Sequence, residues 1–534
     1  MTMNNNIGYI CTDAQCAQGL ADKVAFRWLG ARGERQQFTF GDLQRESARF
    51  ANALEGLGYK PGDVFFTFLP KVPQQFFAFL GSLKARLITG TMFSNFGPEA
   101  LLDRLGDCKA KGIITRRSLL RKLLSIRDKL PALEHVIVVD DVEEQGTLSY
   151  RTLIEAASPT YTVAVTDPAT PSVLHYTSGS TGKPKGALHH HQSVSLQRRT
   201  AEQVLDLRSD DIYWCTADQG WVTGTSYGII GPWSLGVTQI HYDGPYDAKR
   251  WFQILAEEGV TVWYTAPTAL RMLMREDDEL FRQFDLSRLR HICSVGEPLN
   301  PEIIHWARRV LNKDIHDTWW QTETGAIMVA NRPGLAIRPG SMGKPVQGIE
   351  VGIIADDGAP VPQGERGNLC LRPGWDSMFI AYFNNQTVYD AKFRNGWYWT
   401  GDTAYYDADG YYWFTGRSDD VINTAGHLIS PFEVESALLE MDAIAESGVI
   451  GAPDDVLFEK VVAFVVLAKG VEWSKELELK VRIHVANRVS SIATPQDIVV
   501  KDTIPKNKSG KIMRRLLKAE FTGAAPGDTS TLDI

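Results

Sequence analysis

Apolar runs of strand length alternate with amphipathic stretches through the first ~400 residues, the alternation that helices layered on sheets require. Ile113-Ile114-Thr115, directly after Gly112, and Val136 to Val139 read as strands. Helical spacing is plain from Leu43 to Leu57, where Leu43, Phe50, Leu54 and Leu57 share one face, and again from Pro301 to Leu311. Ser430-Pro431-Phe432-Glu433 spells a helix start: a serine cap, proline at the first helical position and glutamate three residues after the cap. Val434, Leu438 and Met441 then fall on one face of that helix. An aromatic, glycine-rich stretch, WYWTGDTAYYDADGYYWFTGR, runs out at Arg417-Ser418-Asp419-Asp420, which makes that point the best boundary in the chain.

With 534 residues the chain exceeds the roughly 250 to 300 that one core supports. The expected fold class is α/β, with a large multi-layer N-terminal domain of β-sheets and packed helices over residues 1–417. A hinge over 418–420, a small α+β C-terminal domain over 421–521 and a disordered tail over 522–534 follow. A net charge of -8 argues against a nucleic-acid partner or an anionic membrane surface, both of which need a basic footprint. Any polyanionic ligand therefore has to be held by locally concentrated lysine, arginine or metal. Six cysteines are scattered without a CxxC pair, the usage of reduced thiols in a cytosol rather than of disulfides or a zinc site. The N-terminus lacks a basic-then-apolar secretory pattern, and the run Val461 to Ala468 is far too short to span a bilayer. A cytoplasmic protein without integral membrane association is expected.

The strongest chemical signal is Tyr176 to Gly186, YTSGSTGKPKG, with four hydroxyls, three glycines and two lysines in eleven residues. Glycines let backbone amides approach an anion, Thr177, Ser178, Ser180 and Thr181 add donors or a metal ligand, and Lys183 and Lys185 add charge. Only two residues separate Gly179 from Gly182, and proline follows Lys183, so this is not a Walker loop. His189-His190-His191 is no metal centre either, since three consecutive side chains do not easily converge on one ion. Taken alone, Glu323 reads as a solvated charge at a strand end, Asp402 as a turn cap and the run around Lys511 as a solvated basic face.

Five segments in order change that balance: YTSGSTGKPKG, CSVGEPLN at Cys293 to Asn300, DTWWQTETG at Asp317 to Gly325, WTGDTAYYDADGYYWFTGRSDD ending at Asp420, and IPKNKSGKIMRR at Ile504 to Arg515. Together they closely resemble the adenylate-forming acyl-CoA synthetase superfamily, over Asp167 to Arg515. WWQTETG and GWVTG at Gly220 to Gly224 look most like its acetate-activating branch. The resemblance implies a ligase that joins a short-chain carboxylic acid, acetate first, to ATP as acyl-AMP with release of pyrophosphate. Transfer of the acyl group to coenzyme A follows. Propionate, a medium-chain or an aryl acid is the alternative substrate, and a carrier-protein-loading adenylation module the alternative class.

By the same resemblance Thr177, Ser178, Gly179, Ser180, Gly182, Lys183 and Lys185 cradle the phosphates, and Thr181 and Glu323 hold Mg2+. Gly296, Glu297 and Pro298 with Asp317, Thr318, Trp319, Gln321 and Thr322 form the adenine platform, while Asp402 and Arg417 take the ribose side. Lys511 reaches the carboxylate and α-phosphate, Asp419 is the hinge, and Gly426 with Thr223 meets the pantetheine of coenzyme A. Trp319 and Trp320 project to opposite sides of an extended segment, one toward adenine and the other closing the acyl pocket with Val222, Thr223 and Val295. One departure stands out: Leu428 occupies a position where many relatives carry arginine, which removes one usual phosphate contact.

Overall fold

The computed structural model describes residues 4–141, 144–177, 184–417, 420–424, 427–454, 456–507 and 511–525. A nine-stranded sheet runs in the order Lys344–Pro345, Val329–Ala330, Ile315–Trp319, His291–Val295, Val262–Thr265, Ile212–Cys215, Thr238–Asp243, Val24–Gly30 and Arg35–Thr39. An eight-stranded sheet carries the other half of the large domain, with Lys185–His190, Pro171–Thr177, Ile88–Thr91, Val64–Phe68, Gly112–Thr115 and His135–Val138 among its strands. The sheets share a core: Phe26 of the first and Val173 of the second pack with Phe76, Phe79 and Leu83 of the helix Pro73–Lys84. A five-stranded sheet built around Trp397–Tyr406 closes the large domain.

Local chemistry accounts for the elements. The helix Phe40–Gly56 begins at a reciprocal cap, in which Thr39 Oγ1 accepts from the Asp42 amide at 3.1 Å and the Asp42 carboxylate accepts from the Thr39 amide at 2.7 Å. Leu43, Phe50 and Leu54 are buried on it, but Leu57 is its C-terminal cap rather than a helical residue. The expected helix at Pro301 likewise runs Pro301–Val310 and ends with Leu311 as cap. Val262, Trp263, Tyr264 and Thr265 are all buried, the continuous apolar run that a parallel strand covered on both faces needs.

Four neighbouring parallel strands, Ile212–Cys215, Val262–Thr265, His291–Val295 and Ile315–Trp319, end along one edge of the nine-stranded sheet. Ligands of α/β sheets bind outside the carboxyl ends of their strands. The segments that leave this edge are Thr216 onward, Ala266 onward, Gly296-Glu297-Pro298 and Trp320 to Glu323.

Past Arg417 a second core forms on a smaller sheet, in which Ile444–Asp454 and Phe458–Leu467 are long antiparallel partners and Asp497–Val500 adds a parallel edge. The helix Pro431–Leu439 starts at Ser430, whose hydroxyl accepts from the Glu433 amide at 3.3 Å. Val434 and Leu438 are buried on it, whereas Met441 lies beyond its end in the turn to the next strand. The last helix, Arg514–Thr522, extends one residue into the segment expected to be a tail and is capped by Gly523 in the left-handed region, with φ 71°. Residues 526–534 lie outside the described residues. The two domains meet through polar and aromatic contacts: Asn300 Nδ2 donates to Ser436 Oγ at 2.9 Å, Arg275 pairs with Glu446, and Phe414 stands edge-on to Phe432. Among the described residues no helix is long and apolar enough to cross a membrane.

Burial sets a pH dependence on this fold. It lowers the imidazole pKa of His175, His191 and His291 from 6.5 to about 3 and that of His189 to about 4. Each stays neutral in the folded protein while the unfolded chain takes up protons below pH 6.5, so stability falls as pH drops from 6.5 toward 4. Asp317 opposes them, because burial raises its carboxyl from 3.8 to about 8 and acidification relieves that cost. The four histidines together outweigh Asp317 within the window. Calorimetric melting at constant ionic strength should show Tm falling steeply between pH 6.5 and 4; an unchanged Tm there contradicts these assignments.

Candidate functional site

A cavity of about 900 Å³ opens at the sheet edge and is closed from the far side by the C-terminal domain. Its lining joins segments more than 300 residues apart, from Thr177 in the strand Pro171–Thr177 to Lys511 near the chain's end. Thr177 and Lys185 are register partners at the open end of an antiparallel hairpin, and both face the cavity. Ser178, Gly179, Ser180, Thr181, Gly182 and Lys183 lie outside the described residues, as do Asp419, Gly426 and the side chain of Leu428. Every other residue singled out from the sequence lines this one cavity.

The strand His291–Val295 turns at Gly296, whose φ of 98° only glycine adopts without strain. Glu297 follows and is held by Thr268 Oγ1 at 2.7 Å and by the guanidinium of Arg271. Asp317, on the neighbouring strand, accepts from the Thr318 amide at 3.0 Å and is buried; desolvation raises its pKa to about 8, so it is largely protonated at neutral pH. Thr318 donates to the Ser294 carbonyl at 2.7 Å and also meets the Tyr264 hydroxyl at 2.8 Å, which fixes the strand end against its neighbours.

Asp402 ties this platform to the third sheet. Its Oδ2 accepts from Trp319 Nε1 at 3.0 Å and Gln321 Nε2 at 2.9 Å, and its Oδ1 lies 3.3 Å from Arg417 Nη1. Asp402 and Arg417 are register partners on adjacent antiparallel strands, so the pairing is built into the sheet. Trp319 thus spends its polar edge on a carboxylate 83 residues away. Glu323 sits one turn further on, with Oε1 accepting from Tyr382 at 2.6 Å. Burial and the neighbouring Glu323 charge push the Tyr382 phenol far up, which keeps it a donor.

Lys511 comes from the C-terminal domain. Its amide donates to Asn507 Oδ1 at 3.0 Å and its carbonyl accepts from the Asn507 amide at 2.9 Å, so a tight loop presents the side chain to the cavity. The side chain is exposed to that cavity, yet protein crowds around it, and this desolvation lowers its pKa, with Arg417 adding repulsion. Arg514, next on the same arm, is anchored to Glu435 at 2.6 Å.

Val222, Thr223, Val295 and Trp320 line the same cavity. Trp320 Nε1 donates to the Tyr264 hydroxyl at 3.2 Å, and its indole stands edge-on to Tyr227 with centroids 5.1 Å apart. One polar and one aromatic contact together fix the plane of the ring.

Tyr382, Arg271, Tyr264 and Lys392 were not foreseen, since each lines the site from a segment without a recognisable motif. The three consecutive histidines take three separate partners: His189 faces the Thr322 carbonyl at 2.8 Å, His190 the Pro168 carbonyl at 3.2 Å, and His191 accepts from the Ile7 amide at 3.0 Å. His189 thereby braces the segment that carries Glu323.

Family models agree with the geometry. A model described as AMP-binding enzyme matches residues 13–383, and one described as AMP-binding enzyme C-terminal domain matches residues 433–511. The acetyl-coenzyme A synthetase of Bacillus subtilis is 44% identical over 532 residues, covering 99% of this chain and 92% of the relative. That of Pyrobaculum aerophilum is 38% identical over 567 residues, covering 99% and 85%. Among solved structures, an anthranilate CoA ligase in complex with anthranoyl-AMP superposes with a TM-score of 0.89 at 31% identity, covering 97% of this chain and 98% of the other. A benzoate CoA ligase from Burkholderia xenovorans superposes at 0.85 with 28% identity, covering 97% and 100%. The chain belongs to the AMP-binding enzyme family.

Proposed function

We propose that the protein is an AMP-forming ligase that activates acetate with ATP and passes the acetyl group to coenzyme A. The observation that carries this reading is the shared cavity: Lys511 lines it together with Thr177, Lys185, Glu323, Asp402 and Trp320. Likeness over nearly the whole chain to acetyl-coenzyme A synthetases supports acetate as the acid.

A carboxylate is a poor electrophile, so the first step attaches it to the α-phosphorus of ATP and expels pyrophosphate. Phosphoryl chemistry of this kind is mostly positioning and charge neutralisation. In this reading Thr177 and Lys185, with residues 178–183 between them, hold the β and γ phosphates. Asp402 accepts from the ribose hydroxyls, with its geometry set by Trp319, Gln321 and Arg417. Glu323 and Thr181 would hold Mg2+, and the free Oε2 of Glu323 beside the Tyr382-bound Oε1 suits such a hard cation. That ion supplies charge neutralisation on the phosphates. Lys511, presented to the cavity by its loop, stabilises the negative charge that develops between carboxylate and α-phosphate. In the second step the thiol of coenzyme A attacks the acyl carbon and AMP leaves. Lys511 has no part in that step, so a turn of the small domain about Asp419 is free to exchange it for the Gly426 face. Free, scattered thiols among the described residues support a reducing, cytoplasmic setting.

The aryl alternative draws on the anthranilate and benzoate ligases among the solved structures. Trp320 decides between the readings, since its fixed indole occupies the volume that a longer acid needs. Discrimination against one extra methylene is worth only ~1 to 3 kcal/mol, so some turnover of propionate is expected. Pyrophosphate release measured across acetate, propionate, butyrate and benzoate should rank acetate first; best turnover of butyrate or benzoate overturns the acetate assignment. Trp320→Gly should move the preference toward the longer acids, and an unchanged acid profile removes the indole from the acyl pocket. Lys511→Ala should slow acyl-AMP formation by about 10²- to 10³-fold yet leave thioester formation from supplied acetyl-AMP near the parent rate. Equal losses in both half-reactions contradict the division of labour.

A further inference from the structure

Lys392 lines this cavity, and neither motif nor mechanism has used it. Its backbone is pinned on both sides, with the amide donating to the Tyr389 carbonyl at 3.0 Å and the carbonyl accepting from the Trp399 amide at 2.8 Å. The side chain is thereby directed over Gly401 into the cavity. The vacant Cβ position of Gly401 lies 3.9 Å from Lys392 Nζ and 3.4 Å from Arg417 Nη2, so the ammonium and the guanidinium flank the same glycine, one residue before Asp402. Its charged surroundings are Glu323, Arg417, Lys185 and Asp402. Burial lowers its pKa, the mark of a cation that protein has stripped of water.

Among the described residues Lys392 makes no hydrogen bond or ion pair, while Asp402 and one oxygen of Glu323 already accept from other donors. Asp402 is shared by Trp319, Gln321 and Arg417, and Glu323 holds Tyr382. A cation desolvated without a partner is unfavourable unless a ligand completes it. In a chain of net charge -8, that surplus of positive charge in one corner fits a polyanion.

We infer that Lys392 is a substrate-contacting residue that grips the β,γ-diphosphate of ATP, the part that leaves as pyrophosphate. The proposal rests on the ligase reading above. It favours the leaving diphosphate over the α-phosphate because Glu323 and Lys185, on the hairpin side of the cavity, are among its neighbours. The diphosphate grip adds positive charge where the P–O bond breaks and the departing oxygens gain negative charge.

The test is calorimetric titration of the full-length parent, Lys392→Met and Lys392→Arg with magnesium ATP, magnesium pyrophosphate and AMP. Lys392→Met should bind ATP and pyrophosphate at least about tenfold more weakly and AMP within about twofold of the parent, with Lys392→Arg recovering most of the loss. Its Tm without ligand should be no lower than the parent's, because removing an unpartnered buried cation relieves a cost. Unchanged affinities for all ligands, or an equal loss for AMP, overturn the assignment, as does a lowered Tm that Lys392→Arg restores without restoring pyrophosphate binding. A parent that binds no ATP overturns the ligase reading itself, whereas a parent that binds while Lys392→Met matches it overturns only this inference.

Discussion

An acidic chain that accepts a polyphosphate has to gather positive charge at one point and keep it from being neutralised by its own carboxylates. Lys185, Lys392, Arg417 and Lys511 all line the same cavity, drawn from the hairpin, a loop, the third sheet and the C-terminal arm. Of these four, among the described residues, Arg417 alone pairs with a carboxylate, and the register of two antiparallel strands dictates that pair. Desolvation lowers the pKa of both Lys392 and Lys511, which is the energetic cost of holding cations ready inside protein. In the proposed reading, strand order, the Gly296 turn and the Asp402 contacts follow as devices that keep a base and a ribose next to that charge.

The same constraint bears on the seam between the domains, which has a polar part beside the Phe414–Phe432 contact. Asn300 with Ser436 and Arg275 with Glu446 are contacts that water replaces readily, unlike an apolar interface. The proposed delivery of Lys511 for one step and its withdrawal for the next would use those replaceable contacts. The anchoring of Arg514 on Glu435 keeps the arm rigid within its own domain, so the proposed motion belongs to the domain as a whole.

Much of this was legible in the chain. Period and capping located the helices Phe40–Gly56, Pro301–Val310 and Pro431–Leu439, because those signals are local; their ends slipped at Leu57, Leu311 and Met441, where capping geometry rather than periodicity decides. The motifs brought Gly296, Asp317, Glu323, Asp402 and Lys511 to notice, and the described ones share one cavity. What the sequence could not disclose was pairing across distance. Trp319 read as a face for adenine, yet its indole N–H is committed to Asp402, and no spacing rule links residues 83 apart. Lys392 was silent for the same reason: on an ordinary helix-to-strand connection its meaning comes only from Gly401 and Arg417 folding over it.

The account stands or falls on a single site that makes an acyl-adenylate before any thiol is present. Isotope exchange between labelled pyrophosphate and ATP, measured with acetate present and coenzyme A withheld, reads that step alone. Exchange that appears with acetate and vanishes without it is the expected result. Exchange that requires coenzyme A, or that runs at the same rate without acid, contradicts it.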